Sequence, residues 1–247
     1  MNGDVAGVVL AAGAGTRLRP LTGVRPKPMC PVGDRPLVDL AIDRVRAVTT
    51  DVAVNVHHGR AMLEAHLGGR VHVSVEEREA LGTAGALGHL RDWIEGRPVV
   101  VVNGDTWTEA SLGRLLAGWD GEATRLLVAG EIDRSRPRLV GAVMAWSEVE
   151  GLEPVPSGLW ELRWSRAEEA GRLDWQPVAA AFADCGTPAS YLAANLAVSG
   201  GRSVVGAGAE VLGTVERSVV WPGVTVHPAE RLVAAIRYAE GCTVLVR

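Results

Sequence analysis

The sequence has no surplus of positive charge. Its 25 lysines and arginines stand against 29 acidic residues, for a formal net charge of −4. A chain that lives on nucleic acid usually carries a basic excess, so that class is set aside. A small anionic ligand needs only a few local positive groups and stays open. No apolar run reaches the roughly 18 residues that cross a bilayer, so no membrane partner is expected. The start, Met1-Asn2-Gly3-Asp4, lacks the basic residues and long apolar stretch of a secretory leader, and a cytoplasmic location is expected. There are only three cysteines, Cys30, Cys185 and Cys242. They are odd in number, far apart and without metal-finger spacing, which reads as reduced thiols. No segment is biased enough in composition to read as disordered.

What is present suits a compact α/β enzyme. The 247 residues are 47% hydrophobic, enough for a sizeable core. Residues 5–12 form a short apolar run ending at Gly13, the pattern of a strand buried on both faces. Apolar residues at helical spacing follow over 37–48, with Pro36 at the first turn. Strands are then expected at 52–56, 71–75, 99–102 and 125–129, alternating with helices at 60–67, 83–93 and 111–119. This rhythm implies a mostly parallel α/β sheet with helices on both faces. Ligands of such sheets sit beyond the carboxyl ends of the strands, so the loops after Ala12, Val75 and Val102 should share one rim. Residues 139–145 read as a further strand and 187–198 as a helix entered at Pro188. The pattern between 145 and 182 is weak. In the valine- and glycine-rich tail, Val205 and Val211 are six residues apart, as are Val220 and Val226. A six-residue period suggests a short left-handed β-helix-like segment, with an ordinary hairpin as the alternative. The division expected is a catalytic domain at 1–200 and a C-terminal extension at 201–247.

The strongest motif is Leu10-Ala-Ala-Gly-Ala-Gly-Thr-Arg-Leu-Arg-Pro-Leu-Thr22, followed by Pro26-Lys27-Pro28. Gly13 and Gly15 let the chain turn tightly after a strand and point backbone N–H groups at an anion. Thr16 adds a hydroxyl. Arg17 offers a planar fork and Lys27 a compact charge to a triphosphate. This is not a Walker loop, for which Gly-x4-Gly-Lys-Ser/Thr is missing. Nor is it a dinucleotide fingerprint, because Leu18 stands where the third glycine would be.

The whole string resembles the signature of the sugar-1-phosphate nucleotidylyltransferases. In pattern it is similar to the mannose-1-phosphate guanylyltransferase and N-acetylmuramate-1-phosphate uridylyltransferase branches. The resemblance continues through Val54-Asn-Val-His-His58, Leu81-Gly-Thr-Ala-Gly-Ala86, Asn103-Gly-Asp-Thr-Trp107 and Asp184-Cys-Gly-Thr-Pro188. It implies a Rossmann-like nucleotide-binding core and transfer of a nucleotidyl group from a nucleoside triphosphate to a sugar-1-phosphate, with Mg²⁺ as cofactor. It further implies that Asp105 and Asp184 hold the metal, a pairing that spacing alone does not give. To the nucleotide it assigns Ala11, Ala12, Gly13, Gly15, Thr16, Arg17, Lys27, Glu77, Gly82, Thr83, Asn103 and Asp105. To the sugar it assigns Gly141 and Asp184, and to catalysis Arg17 and Lys27. Glu77 as a carboxylate reader of guanine tilts the base toward GTP, with mannose-1-phosphate as acceptor, and UTP or dTTP with another hexose phosphate is the alternative. Glu76, Glu77 and Glu79 read equally well as a solvated charged turn. His57 and His58 read as rim residues, since neighbouring strand residues point to opposite faces. Cys185 should be buried and inert.

One departure stands out. The Glu-Lys-Pro segment of many relatives is missing, and residues 130–138 are compressed to Gly-Glu-Ile-Asp-Arg-Ser-Arg-Pro-Arg. This leaves the sugar unassigned. It also keeps two rivals in view, a non-catalytic nucleotide-sugar-binding subunit and a cytidylyltransferase for a non-sugar phosphate. A homodimer is the default assembly.

Overall fold

The computed structural model describes residues 5–246. The leader reading made on Met1–Asp4 lies outside them. The chain forms two compact units. The first comprises residues 5–13, 38–104 and 108–182. The second comprises 14–37, 105–107 and 183–246.

The first unit is built on a seven-stranded sheet. Its strands are β1 (Ala6–Leu10), β2 (Val52–Val56), β3 (His72–Val75), β4 (Val99–Asn103), β5 (Thr124–Ala129), β6 (Leu139–Met144) and β7 (Leu173–Val178). They are ordered β7-β5-β6-β4-β1-β2-β3. β1 pairs in parallel with β2 and β4, β2 with β3, and β5 with β7. Only β6 runs against its neighbours. The sheet is thus the mostly parallel α/β sheet expected, and the loops after β1, β2, β3 and β4 leave one edge. Valine dominates because the central strands are covered on both faces. Val8, Val9, Val99 and Val100 are fully buried.

The helices carry this cover. α1 (Leu37–Arg46) and α2 (Arg60–Leu67) fall where the apolar period placed them. The helix expected at 83–93 is instead two pieces, α3 (Gly82–His89) and α4 (Arg91–Ile94), broken at Leu90. The helix expected at 111–119 shrinks to one turn, α5 (Gly113–Leu116), which ends where Ala117 turns extended, and Gly118 follows with a left-handed φ of 60°. Two elements were illegible in the sequence, the helical stretch from Trp160 through α6 (Ser165–Glu169) and the strand β7. Pro177 masks β7 as a strand, yet β7 lies at the sheet edge, where a missing N–H is tolerated.

On α3, Gly82, Gly85 and Gly88 form a bare stripe. A Cβ on Gly85 would lie 2.1 Å from the Val155 carbonyl oxygen, and one on Gly88 2.5 Å from Glu153. The strip 153–157 therefore lies directly on the helix backbone. Ser157 N–H donates to the Leu81 carbonyl, and the Ser157 carbonyl accepts from Ala84 N–H.

In the second unit, α7 (Pro188–Val198) starts at a capping box in which Thr187 and Ser190 satisfy each other's backbone N–H groups. The tail then coils. Strands β8 (Val204–Val205), β9 (Glu210–Val211) and β10 (Thr214–Glu216) pair in parallel with β11 (Val219–Val220), β12 (Thr225–Val226) and β13 (Arg231–Val233). β11 pairs in parallel with β14 (Ala235–Ala239). Parallel pairing rules out a hairpin over 204–233. Val205 lies beside Val220 and Val211 beside Val226, so the two valine pairs that share a six-residue spacing in the sequence stack on one another. A hairpin closes only the end, where β15 (Cys242–Leu245) runs antiparallel to β14. Trp221, Tyr191, Val219 and Ile236 are its core.

Candidate functional site

The second unit gathers the charged residues read from the sequence. Gly15 adopts the left-handed conformation, and its bare Cα lets Lys27 lie alongside, where a Cβ would come within 2.9 Å of Lys27 Cβ. Thr16–Leu18 then makes one 3-10 turn that leaves Thr16 and Arg17 exposed. Lys27 is only 6% exposed. Its ammonium donates to Asp105 Oδ2 at 2.8 Å and to the Asp184 carbonyl at 2.7 Å. Asp105 and Asp184, distant in sequence, thus meet at one ammonium.

Gly186 explains how Arg17 joins them. A Cβ there would lie 3.1 Å from both Arg17 Nη2 and Asp184 Oδ2. The guanidinium and the carboxylate border a space that only a glycine leaves open. Burial pushes the Asp184 carboxyl up. The Gly186 N–H, the Ser190 hydroxyl and the charges of Lys27 and Arg17 outweigh burial and hold it below the usual carboxylate range. Asp184 is therefore an anion at neutral pH. Cys185 is fully buried, and burial pushes its thiol up to about 12, so it is inert as expected.

The same geometry decides whether a metal fits. Among the described residues no group of three or more His, Cys, Asp or Glu comes together as a cage. The Asp184 carboxylate borders the space at Gly186, and the Asp105 carboxylate meets the same Lys27 ammonium as the Asp184 carbonyl. Carboxylates are hard oxygen donors, and one or two of them completed by phosphate and water is the habit of Mg²⁺.

The rim of the first unit is organised differently. Asn55, 2% exposed in the otherwise apolar β2, accepts from Ala11 N–H at 2.7 Å and donates to Glu76 Oε1 at 2.7 Å. Glu76, also 2% exposed, accepts Leu81 N–H on its other oxygen at 2.8 Å. The Ala12 carbonyl lies 2.9 Å from His58 Nδ1, and the Glu76 carbonyl lies 2.6 Å from His57 Nδ1. The histidines are rim residues, as expected. Gly104 N–H donates to Leu10 at 2.8 Å, bringing the end of β4, with Asn103, against the end of β1. Gly13 ends the first unit's part of the loop, exposed.

Four of the residues singled out in the sequence make contacts within the first unit. Glu77 points outward, 74% exposed, and pairs with Arg60 at 3.1 Å. The inward carboxylate is its neighbour Glu76. Thr83 spends its hydroxyl on Leu159 N–H at 2.8 Å, and a Cβ on Gly82 would strike the Ser157 carbonyl at 2.5 Å. Gly141 lies mid-strand, where a Cβ would press on Leu112, Val102 and the Val101 carbonyl at 3.1–3.2 Å, so packing alone calls for glycine. In the compressed segment, Arg134 pairs with Glu168 at 2.6 Å and Arg138 donates to the Ala129 carbonyl at 2.9 Å. Sequence reasoning passed over Asn55 and Glu76. The available signal was a polar residue inside the apolar run Val52–Val56.

A glycine-bearing loop follows the first strand of an α/β sheet, and the second unit gathers an arginine, a lysine and two aspartates, groups of the kind that suit a phosphate. A profile of the nucleotidyl transferase family matches residues 6–149, more than half of the chain, and the chain belongs to that family. It is 39% identical over 128 residues to the N-acetylmuramate alpha-1-phosphate uridylyltransferase of Caulobacter vibrioides, covering 47% of this chain and 53% of that protein. It is 35% identical over 119 residues to the mannose-1-phosphate guanylyltransferase of Mycobacterium tuberculosis, covering 46% of this chain and 33% of that one. The chain thus spans about half or less of these relatives. Among solved structures it superposes with a TM-score of 0.64 on a putative glucose-1-phosphate thymidylyltransferase of Bacillus anthracis. That match is 20% identical and covers 78% of this chain and 94% of the other, a likeness of fold. No helix of the described residues is long and apolar enough to cross a membrane.

Proposed function

We propose that the chain is a sugar-1-phosphate nucleotidylyltransferase, of EC type 2.7.7. An oxygen of the sugar phosphate attacks the α-phosphorus of a nucleoside triphosphate. The new P–O bond forms as the bond to pyrophosphate breaks. The nucleophile is already an anion at neutral pH, so no general base is required. The obstacle is repulsion between two anions, and positioning with fixed charge is the remedy. The observation that carries this reading is the buried Lys27 ammonium held between Asp105 and Asp184, with Arg17 across the Gly186 gap. Lys27 neutralises the α-phosphate, and Arg17 holds the β- and γ-phosphates and the departing pyrophosphate. Asp105 and Asp184 are the residues that would hold Mg²⁺, which when bound supplies further neutralisation of phosphate charge. The rim residues Ala11, Ala12 and Asn103 serve nucleotide binding.

The relatives' names carry two substrate pairs, GTP with mannose-1-phosphate and UTP with N-acetylmuramate-1-phosphate. The outward Glu77 gives guanine no fixed carboxylate, so the two pairs stand level. The test is a matrix of four triphosphates against several sugar-1-phosphates, read by pyrophosphate release. One productive pair is the expected result. No release from any pair, with the protein folded, would overturn the reading in favour of a non-catalytic subunit.

A further inference from the structure

We infer that Asn55 and Glu76 are positioning residues that lock the entry of the phosphate loop to the loop after β3, and that this lock demands a carboxylate at position 76. The inference rests on the reading that these loops receive the nucleotide. It starts from hydrogen-bond direction. Ala11 N–H and Leu81 N–H stand at the two ends of the relay, and both are donors. Between them, Asn55 presents oxygen to Ala11 and NH₂ to Glu76, and Glu76 presents an oxygen each way. Every partner is matched only because the carboxylate accepts on both sides.

An amide at 76 cannot satisfy the same chain. With its NH₂ toward Leu81, donor meets donor there. With its NH₂ toward Asn55, the clash moves to Asn55, and turning the Asn55 amide over moves it on to Ala11. No arrangement of the two side-chain amides removes it. Both native side chains are 2% exposed, so the mismatch is not repaired cheaply by solvent. The relay joins two loops of the first unit through a strand. Ala11 opens the glycine loop, Asn55 is the last residue but one of β2, and Glu76 and Leu81 bracket the loop that leads into α3. Glu76 also fixes its own backbone, its N–H donating to Val56 at 2.9 Å and its carbonyl engaging His57. A carboxylate in this place sets where two nucleotide-facing loops stand without touching the nucleotide.

The same reasoning names a rescue. In the double variant Asn55→Asp with Glu76→Gln, the new carboxylate accepts from Ala11 and from the new amide, and that amide's oxygen accepts from Leu81. Every direction is matched again, with the negative charge moved from one side chain of the relay to the other. Three proteins are compared with wild type: Glu76→Gln, Asn55→Asp and the double variant. Each is measured for the triphosphate KM, the sugar-phosphate KM, kcat, and hydrogen exchange of the Ala11 and Leu81 amides. Glu76→Gln should raise the triphosphate KM about tenfold or more and speed exchange at one of the two amides. The sugar-phosphate KM should stay put. Asn55→Asp, which sets two carboxylates face to face, should be at least as impaired. The double variant should recover most of both losses. Wild-type behaviour in Glu76→Gln, or a double variant no better than Glu76→Gln, would overturn the inference. So would faster exchange in Glu76→Gln with no change in triphosphate KM, which would leave the relay purely structural. If wild type turns over no substrate pair, the activity reading fails by itself. Exchange, together with equilibrium titration of GTP and UTP, then reads the lock in place of KM, with the same outcomes deciding it.

Discussion

Lys27→Met separates the chemistry proposed for Lys27 from its part in the fold. Methionine keeps most of the apolar stem in a pocket where the side chain is 8% exposed, and it deletes the ammonium. Two charge-assisted hydrogen bonds vanish, to Asp105 at 2.8 Å and to the Asp184 carbonyl at 2.7 Å. The stability cost is bounded by solvent. Asp105 is 35% exposed, so water takes over part of its solvation. A loss of about 1–2 kcal/mol follows. At this chain length that lowers the melting temperature by roughly 3–6 °C. The rate effect should be larger. Loss of one preorganised charge at a developing anionic centre costs about 10²–10³ in turnover. Pyrophosphate release at 25 °C, well below melting, reads the second effect apart from the first. Turnover within threefold of wild type would refute the role given to the ammonium. So would a loss no larger than the fraction of protein unfolded.

Other outcomes follow from single contacts. Gly186→Ala places a methyl 3.1 Å from Arg17 Nη2 and Asp184 Oδ2. It should raise the Mg²⁺ concentration for half-maximal rate about tenfold or more while melting changes little. Gly85→Ala tests sign as well as size. Helix propensity alone favours alanine by about 1 kcal/mol, but a Cβ 2.1 Å from the Val155 carbonyl oxygen should make urea unfolding easier by about 2 kcal/mol. Asp39 bears on acid stability. Burial pushes its carboxyl up, but Arg70 at 2.7 Å and His66 at 2.9 Å hold it below its usual value of 3.8. A carboxyl lowered in the folded state adds stability above the unfolded value, and that stability is lost as pH falls through the folded one. Asp39→Asn should therefore lower stability at pH 7 and flatten the loss seen below about pH 4, as urea midpoints between pH 3 and 7 would show.

The elements that sequence placed well are those set by one local rule. β1, β2, β4 and β6 are apolar runs, and α1 and α2 carry a helical period. Cys185 is buried as read, although Asp184 beside it is exposed. The failures share a cause too. Glu76 and Glu77 are adjacent carboxylates in one charged run, and nothing local says which turns inward. Asn55 and Leu81 settle it, one from β2 and one just before α3. β7 hid behind Pro177, harmless only because the strand has a single neighbour.

What the sequence determined by itself was the alternation of strand and helix and the kinds of charge available to a phosphate. It also set the glycines at 13 and 15, in the loop that follows the first strand. Tertiary structure decided which of those charges meet. Lys27, Asp105 and Asp184 come from three separate stretches, and only folding sets one ammonium between them. The physical reason is range. Propensity and hydrophobic period act over a few residues, whereas a charge buried to 6% exposure is tolerated only when distant partners arrive to meet it.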